Sequence, residues 1–178
     1  CEQIGRKVPI VLDSCCGTGR STQIIAQHRP GAFVIGMDKS APRLARTKAF
    51  REREQDSISN MVLVRANCID MWELLWRSDL KIQEHFLLYP NPYPKPTQLS
   101  LRWHGSPAFA LLLLLGGRLE VRASWCTYLL EFAAAAQHLL DHWHSLEPEL
   151  DQAQPASSSA RGPGGPALSM SDFTEPRP

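Results

Sequence analysis

Twice near its start this chain repeats one constraining pattern: a short apolar run ends in an aspartate and breaks into small residues that open a helix. Pro9-Ile10-Val11-Leu12 meets Asp13 and then Ser14-Cys15-Cys16-Gly17-Thr18-Gly19. Ala32 to Met37 meets Asp38 and then Ser40-Ala41-Pro42. Apolar runs this short and rich in β-branched residues are buried strands, and the glycines and prolines behind them mark turns. Ser21 to His28 is expected to be helical, stopped at Pro30-Gly31. Ser40 caps a second helix, with Pro42 in its first turn, running to about Glu54. Met61-Val62-Leu63-Val64 and His85 to Tyr89 are a third and a fourth strand, with a short helix from Met71 to Trp76 between them. Pro90-Asn91-Pro92-Tyr93-Pro94-Lys95-Pro96 excludes regular structure. Ala108 to Leu115 is apolar on all sides, a buried helix ending at Gly116-Gly117. Leu119 to Ala123 is a fifth strand, and Leu129, Phe132, Ala133, Ala136, Leu140 and Trp143 form one helical stripe. Strands alternating with helices predict a doubly wound, Rossmann-like α/β fold, its sheet mostly parallel and covered on both faces. This domain is expected over residues 1–150, followed by a Ser/Ala/Gly/Pro-rich linker over 151–167 and a last strand or tail over 168–178.

The 178 residues suffice for one core, and a formal net charge of +1 does not announce a polyanion partner. The charge is unevenly spread: Cys1 to Arg53 holds ten Lys/Arg against four Asp/Glu, so a polyanion is steered to the first third. Five cysteines without framework spacing fit free thiols in a reducing compartment. Ala108 to Leu115, the longest apolar run, is far too short for a membrane span. The expected setting is the cytoplasm, or an organelle interior if a targeting segment has been removed. The chain opens at Cys1 without Met and is expected to be a fragment or trimmed.

In a parallel sheet, ligands sit beyond the carboxyl ends of the strands. Gly17 and Gly19 let backbone approach a ligand there, and Asp38, 21 residues after Gly17, suits ribose hydroxyls. A dinucleotide fingerprint fits poorly, because Thr22 stands where a third Gly or Ala is wanted. S-adenosylmethionine fits better: its positive groups suit Asp13, and D-x-C-C-G-T-G resembles motif I of class I methyltransferases. Cys15 and Cys16 are read as small loop residues. The i, i+4 pair His138 and His142 lacks the glutamate of a zinc protease, so no metal is expected.

FLLYPNPYPKPTQLSLRWHGSPAF, Phe86 to Phe109, resembles the segment after the fourth strand of bacterial-type tRNA (guanine-N7)-methyltransferases. The likeness extends from about Val8 to Phe132, through VIGMDKSAPRL, LVRAN, LLLGGRLEVRASW and Tyr128. It implies methyl transfer from S-adenosylmethionine to N7 of a guanine in the variable loop of tRNA; the sequence does not fix the oligomeric state, and a monomer is the expectation. By this resemblance Asp13 stands beside the methionine part of the cofactor, Gly17 and Gly19 in its loop, Asp38 at the ribose and Asn67 near the adenine. Asn91 takes the place of the aspartate in the Pro-Asp-Pro motif, on the cofactor and catalytic side. Lys95 and Ser124 stand on the substrate side by the same resemblance; Arg102 is a candidate phosphate or base contact, His104 is open between RNA contact and local packing, and Arg43, Arg46 and Lys48 are candidates for the RNA backbone. Two positions depart from the family: Asn91 and Ser124 replace aspartates. The family's closing Thr-x-Phe-Glu has only an echo in Asp172-Phe173-Thr174-Glu175. Two other readings share the fold: methylation of a small molecule or protein, and a non-catalytic RNA-binding or partner subunit.

Overall fold

The computed structural model describes residues 8–51, 58–78 and 80–142, with side chains omitted over 47–51. Cys1, the side chain of Lys48, Glu54, Trp143, the expected linker and the expected last strand lie outside the described residues. Within them, β1 (Ile10–Ser14), α1 (Arg20–His28), β2 (Phe33–Asp38), α2 (Ala41–Arg51), β3 (Met61–Arg65), α3 (Cys68–Arg77) and β4 (Ile82–Leu88) alternate strictly. Then come α4 (Phe109–Leu114), β5 (Arg118–Arg122) and α5 (Cys126–Asp141). The five strands form one sheet in the order β3-β2-β1-β4-β5, and every pair is parallel.

The strand pleat sends alternate residues to two separate cores. Leu12, Met37, Ile82 and Leu87 join Trp72, Trp76, Phe109, Leu112, Tyr128 and Phe132 of α3, α4 and α5 on one face. Val11, Val34 and Phe86 meet Ile25 and Ala26 of α1 on the other. The expectation of helices on both faces therefore holds, and Trp72 and Trp76 are core residues. Two element starts differ from expectation by three residues, most other bounds by one. β4 begins three residues earlier, at Ile82, because Ile82 and the polar Glu84 pair with Ile10 and Val11 of β1 across a register shift at Gln83. α3 begins at Cys68, where the Asn67 side chain accepts from the N–H of Ile69 as an N-cap. Beyond the Pro-rich loop, two 3-10 turns at Pro96–Leu101 and Trp103–Gly105 fold a stretch with no apolar periodicity to betray it.

The amino edge of the sheet is closed by structural contacts. Arg29 grips Glu84 of β4 with two hydrogen bonds of 2.8 and 3.1 Å. The Asn60 amide donates to the carbonyls of Ala26, Arg29 and Ala32. At mid-sheet, Trp72 Nε1 donates to Ser14 Oγ at 2.9 Å, and Ser14 Oγ shares a second hydrogen bond of 2.8 Å with His85 Nε2. His85 keeps its other ring nitrogen, Nδ1, without a partner among the described residues. Complete burial pushes its pKa down to about 3.

Unfolded, this imidazole takes up a proton below its ordinary 6.5, while the folded form refuses one until about 3. Stability is therefore full above pH 6.5 and falls as pH drops toward 3, by up to about 1.4 kcal/mol per pH unit from this group. Urea midpoints measured at intervals from pH 7 to 4.5 check this. His85→Gln, which keeps a hydrogen-bonding partner for Ser14 but cannot charge, flattens the slope; an unchanged slope would remove His85 as its source.

Candidate active site

β1 and β4 run side by side, with Ser14 opposite Leu87 in register, and β2 lies on the other side of β1. The connections leaving β1 and β4 diverge to opposite halves of the sheet, which leaves a crevice at their carboxyl ends. Around it stand the turn 15–19, Asp38 and Ser40 after β2, Asn67 after β3, the loop 89–95 after β4 and Ser124 after β5.

The turn after β1 is built around two buried carboxylates. Asp13, fully buried, accepts the hydroxyl protons of Ser21 and Thr22 at 2.6 Å, both on Oδ2. Its Oδ1 is buried and has no partner among the described residues. Burial raises its pKa, against the pull of the two hydroxyls. Asp38 accepts the N–H of Gly17 at 2.9 Å on Oδ2 and that of Ser40 at 2.8 Å on Oδ1, so one side chain fixes the loops after β1 and β2 together. Arg43 stands 3.9 Å from the same carboxylate, its side chain largely exposed; Arg46 is exposed as well.

The two glycines of the turn do different work. Both take left-handed φ, +61° at Gly17 and +74° at Gly19. A Cβ on Gly19 would lie 2.6 Å from Leu63 Cδ1, so a side chain there fits only if Leu63 shifts. A Cβ on Gly17 would meet nothing within 4 Å. Gly17 therefore offers bare backbone to an open space bordered by the Asp38 loop, which a ligand's atoms could fill. Among the described residues three non-glycines also adopt positive φ, and all lie at this edge: Cys15 after β1, and Tyr89 and Tyr93 after β4. Such backbone costs about 1–3 kcal/mol per residue and clusters at functional sites.

The Pro-rich loop divides the expected substrate residues into two groups. Asn91, Lys95 and Ser124 are exposed; Asn91 Oδ1 accepts the N–H of Tyr93 at 3.3 Å. In the second group Arg102 is buried and His104 is half-buried. Arg102, 4% exposed, donates to the Tyr93 carbonyl through Nε and Nη2, and through Nη1 to Glu131, and lies over the Trp125 ring. His104 Nε2 pairs with the same Glu131 at 3.1 Å and packs edge-on against Tyr128 and Phe132. Burial lowers the His104 pKa, partly opposed by Glu131. Both side chains pin the loop to α5. Glu131, the acid that organises them, went unnoticed in the sequence because its partners lie 27 and 29 residues upstream.

A family model described as "Putative methyltransferase" matches residues 7–160. The chain belongs to this methyltransferase family. Its sheet order, with helices on both faces, is that of a class I methyltransferase, as the sequence led us to expect. A tRNA (guanine-N(7)-)-methyltransferase of Mycobacterium avium (strain 104) is 31% identical over 156 residues, covering 86% of this chain and 56% of the relative. A protein of the same name from Xanthomonas campestris pv. campestris (strain 8004) is 27% identical over 161 residues, 88% of this chain and 58% of the relative. The chain thus spans little more than half the length of these curated relatives. Among solved structures, the antibiotic-resistance methyltransferase Kmr shares 20% identity at a TM-score of 0.49, over 74% of this chain and 78% of that one.

In this methyltransferase, Gly17→Ala is expected to lose only about 1–2 kcal/mol of stability, the conformational cost of a left-handed alanine. Gly19→Ala adds a packing clash and should lose about 2–4 kcal/mol. Chemical denaturation ranks the two, and equal losses would show that the space beside Gly17 is not open. Arg102→Ala strips the donors from Tyr93 and Glu131 and should cost about 2–3 kcal/mol. A loss below about 0.5 kcal/mol would return Arg102 to the surface.

Proposed function

We propose that this chain is a tRNA (guanine-N7)-methyltransferase that uses S-adenosylmethionine. The observation that carries the reading is the meeting, on adjacent parallel strands, of the glycine turn after β1 and the PNPYPK loop after β4, with Asp38 beside them. The named tRNA methyltransferases that share this chain's sequence supply the substrate class.

The site's donors fit the cofactor. Asp38, at the end of β2, suits the ribose; its oxygens already hold the two loops in place and keep lone pairs in reserve. Gly17 gives the ligand room beside bare backbone. Asp13 lies too deep for direct contact, but its buried charge and unpartnered Oδ1 favour a cationic group at the loop. Asn67 is exposed at the adenine end, where its side chain also caps α3. Bound there, S-adenosylmethionine supplies a methyl group on a positively charged sulfur, which the in-plane lone pair of guanine N7 can displace.

Guanine N7 carries no proton, so the protein needs no general base and its task is alignment. Asn91 keeps the hydrogen-bonding shape of the family's aspartate, without the charge that would offset the positive charge growing on the base. Ser124 likewise offers a hydroxyl in place of a carboxylate. Lys95, exposed on the same loop, and the exposed Arg43 and Arg46 suit phosphates, and their contribution weakens as salt rises. The two lost carboxylates give the non-catalytic subunit its one specific support, and it is the outcome the assay below must exclude.

The deciding assay is transfer of labelled methyl from S-adenosylmethionine to unmodified tRNA, with the modified base identified as N7-methylguanine. Asn91→Asp should raise the rate about tenfold, equivalent to roughly 1.4 kcal/mol in the barrier; a slower variant would mean that the asparagine is itself adapted to the site. Asp38→Ala and Gly17→Ala should each weaken cofactor binding at least tenfold by calorimetry. Cofactor binding without any transfer to tRNA would leave the partner-subunit reading in its place.

A further inference from the structure

One contact at the cofactor loop has no part in that reaction. The thiols of Cys15 and Cys68, 53 residues apart in sequence, lie 3.4 Å apart, and both cysteines are free. Cys15 is the left-handed residue between β1 and the glycine turn, and it is partly exposed. Cys68 is buried at the first turn of α3, a ten-residue helix, directly after Asn67. Among the described residues no group of three or more His, Cys, Asp or Glu side chains could hold a metal, so zinc does not account for the pair. The neighbouring Cys16 is excluded as a partner by its environment. It is buried beside Asp13, and burial pushes its thiol up to about 12.

We propose that Cys15 and Cys68 are an oxidation site, a dithiol that a hydroperoxide closes to a disulfide across the cofactor loop. The two members are unequal in the way such chemistry needs. The two sulfurs share one hydrogen bond, in which either can be the donor, and the positive end of α3 adjoins Cys68 alone and favours a thiolate there. The Cys68 thiolate attacks one oxygen of hydrogen peroxide and breaks the O–O bond, giving a sulfenic acid and hydroxide. Cys15 sulfur then attacks the Cys68 sulfur, the S–O bond breaks, and the departing hydroxide leaves as water with the thiol proton. In total two thiols and one hydrogen peroxide give one disulfide and two waters; the sulfurs lose two electrons and the peroxide gains them.

A disulfide holds its sulfurs about 2.05 Å apart, so closure draws these two together by roughly 1.4 Å. That movement pulls the backbone two residues before Gly17 toward the residue following Asn67. Oxidation therefore distorts the glycine turn, and on the reading of the cofactor site given above it weakens S-adenosylmethionine binding.

The test uses the full chain. The reduced protein is treated with a small excess of hydrogen peroxide, remaining thiols are alkylated, and tryptic peptides are analysed by mass spectrometry. The expected product joins peptide 8–20 to peptide 66–77, with fragmentation placing the bond on Cys15 and Cys68. It is absent from Cys68→Ser and vanishes on treatment with dithiothreitol. Calorimetry with S-adenosylhomocysteine should show affinity at least tenfold lower after oxidation, recovered by dithiothreitol, and no peroxide response in Cys68→Ser. Absence of the crosslink, or a bond from Cys16, overturns the proposal; so does a crosslinked protein whose affinity is unchanged. If the reduced protein fails to bind S-adenosylhomocysteine at all, the cofactor reading falls, while the crosslink still decides whether the oxidation site exists.

Discussion

The candidate site hangs on one buried carboxylate. Asp13 ends the central strand with no exposure, and the hydroxyls of Ser21 and Thr22 are what make its burial tolerable. Those two hydroxyls belong to the first turns of α1, so the same bonds that satisfy the charge fix where the helix starts. The intervening turn must then close in a few residues, which is why it needs left-handed backbone at Cys15, Gly17 and Gly19. Asp38 repeats the device one strand over, its two oxygens holding the N–H groups of Gly17 and Ser40. The carboxylates that suit a cationic cofactor are thus also the fasteners of the loops around it.

The other half of the edge is organised by a cation turned inward. Arg102 lies beneath the Pro-rich loop, between the Tyr93 carbonyl, Glu131 and Trp125. With four prolines limiting the loop's own N–H donors, a side chain supplies bonds that the backbone cannot. Lys95 and Asn91 consequently sit on a loop that is shaped from below and free above. The basic residues of this segment divide between holding the loop and standing at its surface, and only burial tells them apart.

Much of this was legible in the sequence because the strands are compact apolar runs and each turn has its own glycine, proline or cap. The five strands, the parallel order implied by their helical crossovers, and the grouping of Gly17, Asp38 and Asn91 at one edge all follow from local pattern. What escaped is what depends on distance in sequence. The start of β4 is hidden because Gln83 and Glu84 interrupt its apolar pattern, though Ile82 and Glu84 both pair with β1 around a register shift at Gln83. The anchoring of Arg102 and His104 is hidden because Glu131 lies on another element. Cys15 looked like loop filler for the same reason: Cys68 reaches it only after β3 has paired with β2.

The three left-handed non-glycine residues carry a consequence for how the molecule is made. Cys15, Tyr89 and Tyr93 hold backbone that their side chains disfavour in isolation. Each is held by a neighbour from elsewhere: the N–H of Cys16 on the Met37 carbonyl, the N–H of Tyr89 on the Arg122 carbonyl, and Arg102 on the Tyr93 carbonyl. None of these restraints exists until β2, β5 and the 3-10 turns are in place. The shape of the crevice therefore depends on contacts from both halves of the sheet, and competence to hold a ligand reports that β2, β5 and the 3-10 turns are in place.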